Sequence, residues 1–188
     1  ELHRHQPPAD QTAMSLRRRI ALVSWAEDHG TAIVEDDYDT EFRFTGRPIE
    51  PLQLLDRTGR VIYVGTFSKT LLPAIRVGFL VAPPSIRHAI EAAKFVADWH
   101  TPLPTQRTLA AFLADGSFAR HVRRMRAVYR ERHDRITSII RRDLPDELEV
   151  LPASAGVHVA ALARKRSVDE MDEVGARAVA RGVAVQQL

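Results

Sequence analysis

Apolar positions along the chain change period repeatedly. Between residues 16 and 29 they fall at Ile20, Leu22, Val23 and Ala26, which predicts an amphipathic helix. Ser15 offers an N-cap oxygen before it and Gly30 a stop after it. A β-rich run, Thr31-Ala-Ile-Val, then ends in the carboxylates Glu35, Asp36 and Asp37 and predicts a buried strand. A short helix is expected over 52–55. Val61 to Val64 predict another buried strand closing at Gly65, and Val77 to Val81 a third. Pro83 and Pro84 end it, and Ser85 is placed to cap a helix over 86–100. Trp99, His100 and Thr101 predict a helix end packed on the core. A helix opening at Thr105 runs to Ala114 and stops at Asp115-Gly116. The longest periodic stretch, 117–143, has Phe118, Val122, Met125, Tyr129, Ile136 and Ile140 at steps of three, four and, once, seven. Its other face carries Arg120, Arg123, Arg124, Arg126, Arg130, Arg132 and Arg135. A solvated, ion-paired face is the expectation there, ahead of DNA contact.

Alternating helices and strands predict an α/β fold, with a mostly parallel sheet flanked by helices. The two closely spaced strands around Lys69 are where one antiparallel member fits. Pro145 and Pro152 mark a boundary. Beyond it, strands over 148–151 and 156–162, a helix over 168–181 and a strand over 183–185 make a small α+β unit. The expected organisation is residues 1–116 as part of a large domain, 117–144 as a long linking helix, and 145–188 as an incomplete small domain.

Composition narrows the classes. The chain has 188 residues, no cysteine and a formal net charge of +3. A disulfide framework is excluded, and a cytoplasmic setting fits. No run of about 18 apolar residues exists, so no membrane span is predicted. The positive charge is nearly all arginine; the lysines are Lys69, Lys94 and Lys165. That bias reads as coding composition more than as a nucleic-acid surface, and it makes Lys69 stand out. The histidines near the start lack metal-ligand spacing, so no metal site is expected.

Candidate chemistry centres on Lys69, in Thr66-Phe-Ser-Lys-Thr between two predicted strands. A lysine held between buried strands loses hydration, which favours its neutral, nucleophilic form. Such an amine forms a Schiff base with an aldehyde. Thr66, Ser68 and Arg76 could hold a phosphate. On the strand ending in carboxylates, residues two apart share a face, so Asp36 and Tyr38 point together and Asp37 away. Pyridoxal 5'-phosphate needs such a pair: an aspartate on the pyridine nitrogen and a phenol on the ring oxygen.

Longer motifs then carry a resemblance. Glu35 to Phe42 (Glu-Asp-Asp-Tyr-Asp-Thr-Glu-Phe), Gly46-Arg47-Pro48, Tyr63 to Leu71 and His121 to Arg132 together resemble the aminotransferase-like domain of MocR/GntR-type regulators. These join a winged helix-turn-helix to a fold-type I aminotransferase-like domain. The resemblance implies Lys69 as the Schiff-base lysine, Asp36 as the pyridinium partner and Tyr38 as the ring-oxygen partner. It implies Thr66, Ser68 and Arg76 as the phosphate site. It further implies a homodimer, an amino-acid or amine effector, and operator DNA bound through a domain outside this chain. Asp10 stands where the family carries a turn glycine. The length, and a start at Glu1, suggest a piece of a longer protein that binds the cofactor weakly or not at all by itself. A fragment of an aminotransferase proper uses the same residues and remains the alternative, with transaminase chemistry vestigial on the regulator reading. A phosphotransferase reading of Gly65 to Thr70 fails because the loop is too short and lacks a glycine before its lysine. A degenerate domain that only dimerises is the fourth reading.

Overall fold

A computed structural model of the chain describes residues 14–37, 40–42, 50–151, 157–164 and 167–183. The expected turn at Asp10, Tyr38, the Gly46-Arg47-Pro48 motif, the start of the strand expected at 156 and most of that expected over 183–185 lie outside these.

Helix α1 (Leu16–Asp28) begins where Ser15 accepts a hydrogen bond from the Arg18 N–H at 3.4 Å. It buries Val23 and Ala26, while Ile20 stays half exposed. Strand β1 (Ile33–Asp37) follows, then a 3-10 turn over Thr40–Phe42, the short helix α2 (Leu52–Leu55) and strand β2 (Val61–Thr66). β1 and β2 pair in parallel, with Ile33 beside Val61 and Asp37 beside Gly65. Strand β3 (Gly78–Val81) pairs antiparallel to the other edge of β2. The sheet is therefore mixed, in the order β1-β2-β3, with the antiparallel member in the expected place. One face of it, through Val61 and Ile33, meets Leu22 and Val23 of α1 and Leu52 and Leu55 of α2. Fully burying aliphatic side chains of this size stabilises by about 1.5–3 kcal/mol each.

β3 corrects the expectation of a third buried strand, since all four of its residues are exposed, and β1 corrects the first, since its residues alternate between half-buried and exposed. Its approach to β2 is close. A Cβ on Gly78 would stand 2.9 Å from the Gly65 carbonyl oxygen, so only glycine fits there without a shift.

Helix α3 (Pro84–Asp98) starts two residues earlier than a Ser85 cap would set it, with Pro83 in the cap position. Pro84 occupies its first turn, where a missing N–H costs nothing. Trp99 ends this helix with a φ of 62°, but its ring is 68 % exposed rather than packed on the core. Helix α4 (Leu103–Ala114) begins just before Thr105, and Gly116 in the left-handed region turns the chain into α5 (Ser117–Asp143). α5 packs against α4, the 3-10 turn and β4 (Leu148–Val150). β4 pairs antiparallel with β5 (Ala161–Ala163), shorter than the strand expected, and α6 (Val168–Ala180) closes the described chain.

Asp56 sets the entry to β2. Its carboxylate accepts from the N–H groups of Thr58 and Gly59 at one oxygen, and of Arg60 and Val61 at the other, at 2.6–3.0 Å. Partial burial pushes this carboxyl up, but these donors and the Thr58 hydroxyl outweigh it and hold it below the usual range. Asp56→Ala is expected to destabilise the fold by about 1–3 kcal/mol in urea unfolding. Because the folded carboxyl is the stronger acid, Asp56 stabilises fully above about pH 4, and the difference between variant and parent should shrink as pH falls below that.

Candidate functional site

Three consecutive carboxylates leave β1, and the pleat sends them to different partners. Glu35 faces the helices. Its two oxygens accept from the N–H groups of Leu52 at 2.8 Å and Gln53 at 3.2 Å, at the start of α2. Arg19 reaches the same carboxylate at 3.5 Å and also donates to the Glu50 carbonyl. Glu35 is thus a latch between β1, α1 and α2.

Asp37 lies on the same face two residues on and accepts from the Tyr63 phenol at 2.8 Å. Burial first, then the hydrogen bond and charge of Asp37, push the Tyr63 phenol above the ordinary tyrosine range.

Asp36 points to the opposite face and is exposed. It pairs in register with Val64, and Thr66 is the next residue on that face of β2. Strand spacing and rise put Asp36 and Thr66 about 8 Å apart at Cα.

β2 then gives way to the turn that holds Lys69. The Thr66 hydroxyl oxygen accepts from the Ser68 N–H at 3.1 Å, so its own proton is left to donate elsewhere. The Leu71 N–H closes the turn on the Phe67 carbonyl at 2.9 Å, and the Phe67 N–H bonds the Val77 carbonyl at 3.1 Å. Between these anchors Lys69 is exposed, which corrects the expectation of a lysine buried between two strands. The strand that follows, β3, is exposed along its length, so the turn does not lie between two buried strands.

Thr70, by contrast, is 2 % exposed, and its hydroxyl has no hydrogen-bond partner among the described residues. Arg76 is exposed and held at a φ of 49°, a left-handed conformation that costs a non-glycine residue about 1–2 kcal/mol.

The fold therefore brings Asp36, Thr66 and Ser68 to one sheet edge with Lys69 in the turn beyond; Tyr38 lies outside the described residues. These groups fit pyridoxal phosphate by their chemistry. They comprise an amine in an exposed turn, a carboxylate on the open sheet face, and hydroxyl donors for a phosphate.

Two residues of the His121–Arg132 motif make contacts that the sequence did not predict, and Arg126 is part-buried where a solvated face was expected. His121 Nε2 lies 2.9 Å from the Thr70 carbonyl oxygen, and Arg126 donates from Nε and Nη2 to the Glu41 carbonyl oxygen at 3.0 and 2.6 Å.

Residues 13–187 match the family model described as aminotransferase class I and II. The chain belongs to the class I and II aminotransferase family.

Within it, the chain is 41 % identical to the MocR regulatory protein of Rhizobium meliloti, named for rhizopine catabolism, over 84 % of this chain and 32 % of that protein. It is 41 % identical to the uncharacterized HTH-type transcriptional regulator YhdI of Bacillus subtilis, over 82 % of this chain and 33 % of that protein. The chain thus spans about a third of the length of these curated relatives. Among solved structures, the Pyrococcus horikoshii kynurenine aminotransferase in complex with PMP superposes with a TM-score of 0.82 at 30 % identity. That match covers 93 % of this chain and 43 % of that one. The fold is accordingly that of fold-type I aminotransferases.

Tyr63 is expected to matter to the fold of this family member through Asp37. Tyr63→Phe removes a hydrogen bond to a half-buried carboxylate and should cost about 1–3 kcal/mol in urea unfolding. The folded phenol is the weaker acid, so its contribution is full below about pH 10 and is lost as pH rises through the elevated folded value.

Proposed function

We propose that this chain is the pyridoxal-phosphate-binding effector and dimerisation domain of a MocR-type, GntR-family transcriptional regulator. The observation that carries the reading is the 41 % identity to regulators over more than four-fifths of the chain, with the Lys69 turn and the Asp36 strand at one sheet edge. On this reading operator DNA is bound by a winged helix-turn-helix outside the chain. The effector is an amino acid or amine, the working unit is a homodimer, and the setting is cytoplasmic. Among the described residues no helix is long and apolar enough to cross a membrane.

Pyridoxal phosphate, when bound, supplies an electron sink to any amine joined to its aldehyde carbon. The chain's own residues do the rest. Lys69 presents its Nζ from a turn anchored on both sides, so the amine is delivered to one place. Asp36 would hold a proton on the pyridine nitrogen through a charge-assisted hydrogen bond. Thr66 would donate its hydroxyl proton toward the phosphate, with Ser68 beside it. Arg76, exposed and kept in a strained left-handed conformation, would add a positive charge toward the phosphate; such strain gathers at functional sites.

An aminotransferase acting on an amino acid is the second reading, favoured by the superposition on the P. horikoshii enzyme. Addition of pyridoxal phosphate to the full protein should give a visible band that borohydride removes, and Lys69→Ala should abolish it. A reducible band persisting in Lys69→Ala would falsify the assignment. Release of keto acid from amino acids at enzymatic rates would favour the second reading.

A further inference from the structure

Both loops that carry the site motifs are held by one helix, and by the same two devices. In the Lys69 turn, the Phe67 ring meets Phe118 of α5 edge-on at 5.8 Å, and His121 lies 2.9 Å from the Thr70 carbonyl oxygen. After β1, the Phe42 ring is fully buried and meets Tyr129 of α5 edge-on at 4.9 Å, while Arg126 captures the Glu41 carbonyl. Each loop thus has one aromatic anchor and one backbone carbonyl bound by a side chain of α5. His121 and Arg126 are five residues apart, about 140° around the helix, so they flank the stripe of Val122, Met125 and Tyr129.

The Thr70 anchor bears most directly on chemistry. A carbonyl oxygen only accepts, so His121 must carry its proton on Nε2. Thr70 cannot hold the turn by its own hydroxyl, which is buried without a partner among the described residues. The turn is therefore fixed at Phe67 by ring packing and at Thr70 by His121, with exposed Lys69 between.

We propose that His121 is a positioning residue: by donating Nε2–H to the Thr70 carbonyl it sets where the Lys69 amine stands. This rests on the reading that Lys69 joins pyridoxal phosphate. Carbonyl capture is independent of the loop's side chains, so it constrains the backbone on the C-terminal side of Lys69 directly. Losing one hydrogen bond of ordinary strength corresponds to about a fivefold change in the population of the held turn.

The test uses Lys94 as an internal reference. Lys94 sits on α3, paired with Asp98 at 2.6 Å. The full protein is treated with pyridoxal phosphate and then borohydride, and the ratio of labelled Lys69 to labelled Lys94 is read by peptide mass spectrometry. Parent protein is compared with His121→Gln, which keeps an N–H donor, and His121→Met, which keeps the bulk without it. Thermal midpoints of all three are recorded, so that a loss of stability shared by both variants is separated from an effect on Lys69. The expected result is a parent ratio well above one, a fall of about fivefold in His121→Met, and a ratio within twofold of parent in His121→Gln. Equal ratios in parent and His121→Met, or an equal fall in both variants, would overturn the inference while leaving Lys69 as the reactive amine. A parent ratio near one would overturn the cofactor reading, and this inference with it.

Discussion

Parallel pairing of β1 with β2 is the constraint on which the site depends. Parallel strands end at the same edge of a sheet, so the carboxylates of β1 and the turn after β2 emerge side by side. Alternation along β1 then sorts the carboxylates by face. Glu35 and Asp37 turn toward the helices and are taken up by the α2 N–H groups and the Tyr63 phenol. Asp36 alone of the three is left on the open face, beside the strand that leads to Lys69. A slip of one residue in this pairing would exchange Asp36 for Asp37 and turn the Glu35 latch away from α2. Packing of Val61, Val23 and Leu52, with the Asp56 carboxylate gathering four N–H groups just before Val61, resists that slip.

α5 supplies the second constraint. It reaches from the Lys69 turn, through the 3-10 turn after β1, to the strand β4 of the second sheet. Its apolar stripe buries Val122 and carries Tyr129 against Phe42. Side chains flanking that stripe bind backbone carbonyls of the two motif loops. A single rigid element thereby fixes both loops relative to each other, where separate contacts would leave them free to drift apart.

Much of this was legible in the sequence. α1 announced itself through Ser15, Gly30 and a helical stripe, and α5 through six apolar positions at steps of three, four and, once, seven. The antiparallel β3 was foreseen because too few residues separate it from β2 for a parallel crossover. What failed was burial. Phe79 to Val81 and the end of α3 have apolar side chains, but burial depends on what packs over them, which local pattern does not encode. Lys69 was misjudged for the same reason. His121 and Arg126 lay in a motif that the sequence singled out, but their contacts were hidden because the acceptors are backbone carbonyls, and Arg126, expected on a solvated face, is part-buried on one of them. Tyr63 stands out in the sequence as part of a buried strand and of the Tyr63–Leu71 motif; its place opposite Glu35 and beside Asp37 follows from the register, which becomes visible only once the strands are paired.

The register claim is tested most directly by comparing pyridoxal-phosphate dissociation constants of Asp36→Asn and Asp37→Asn in the full protein. A charge-assisted hydrogen bond from the cofactor ring to Asp36 alone predicts that Asp36→Asn weakens binding by roughly ten- to a hundredfold. Asp37→Asn should then stay within about threefold of the parent, its cost appearing in stability through Tyr63. Equal weakening by both substitutions, or a larger effect at Asp37, would contradict the assignment of Asp36 to the cofactor face.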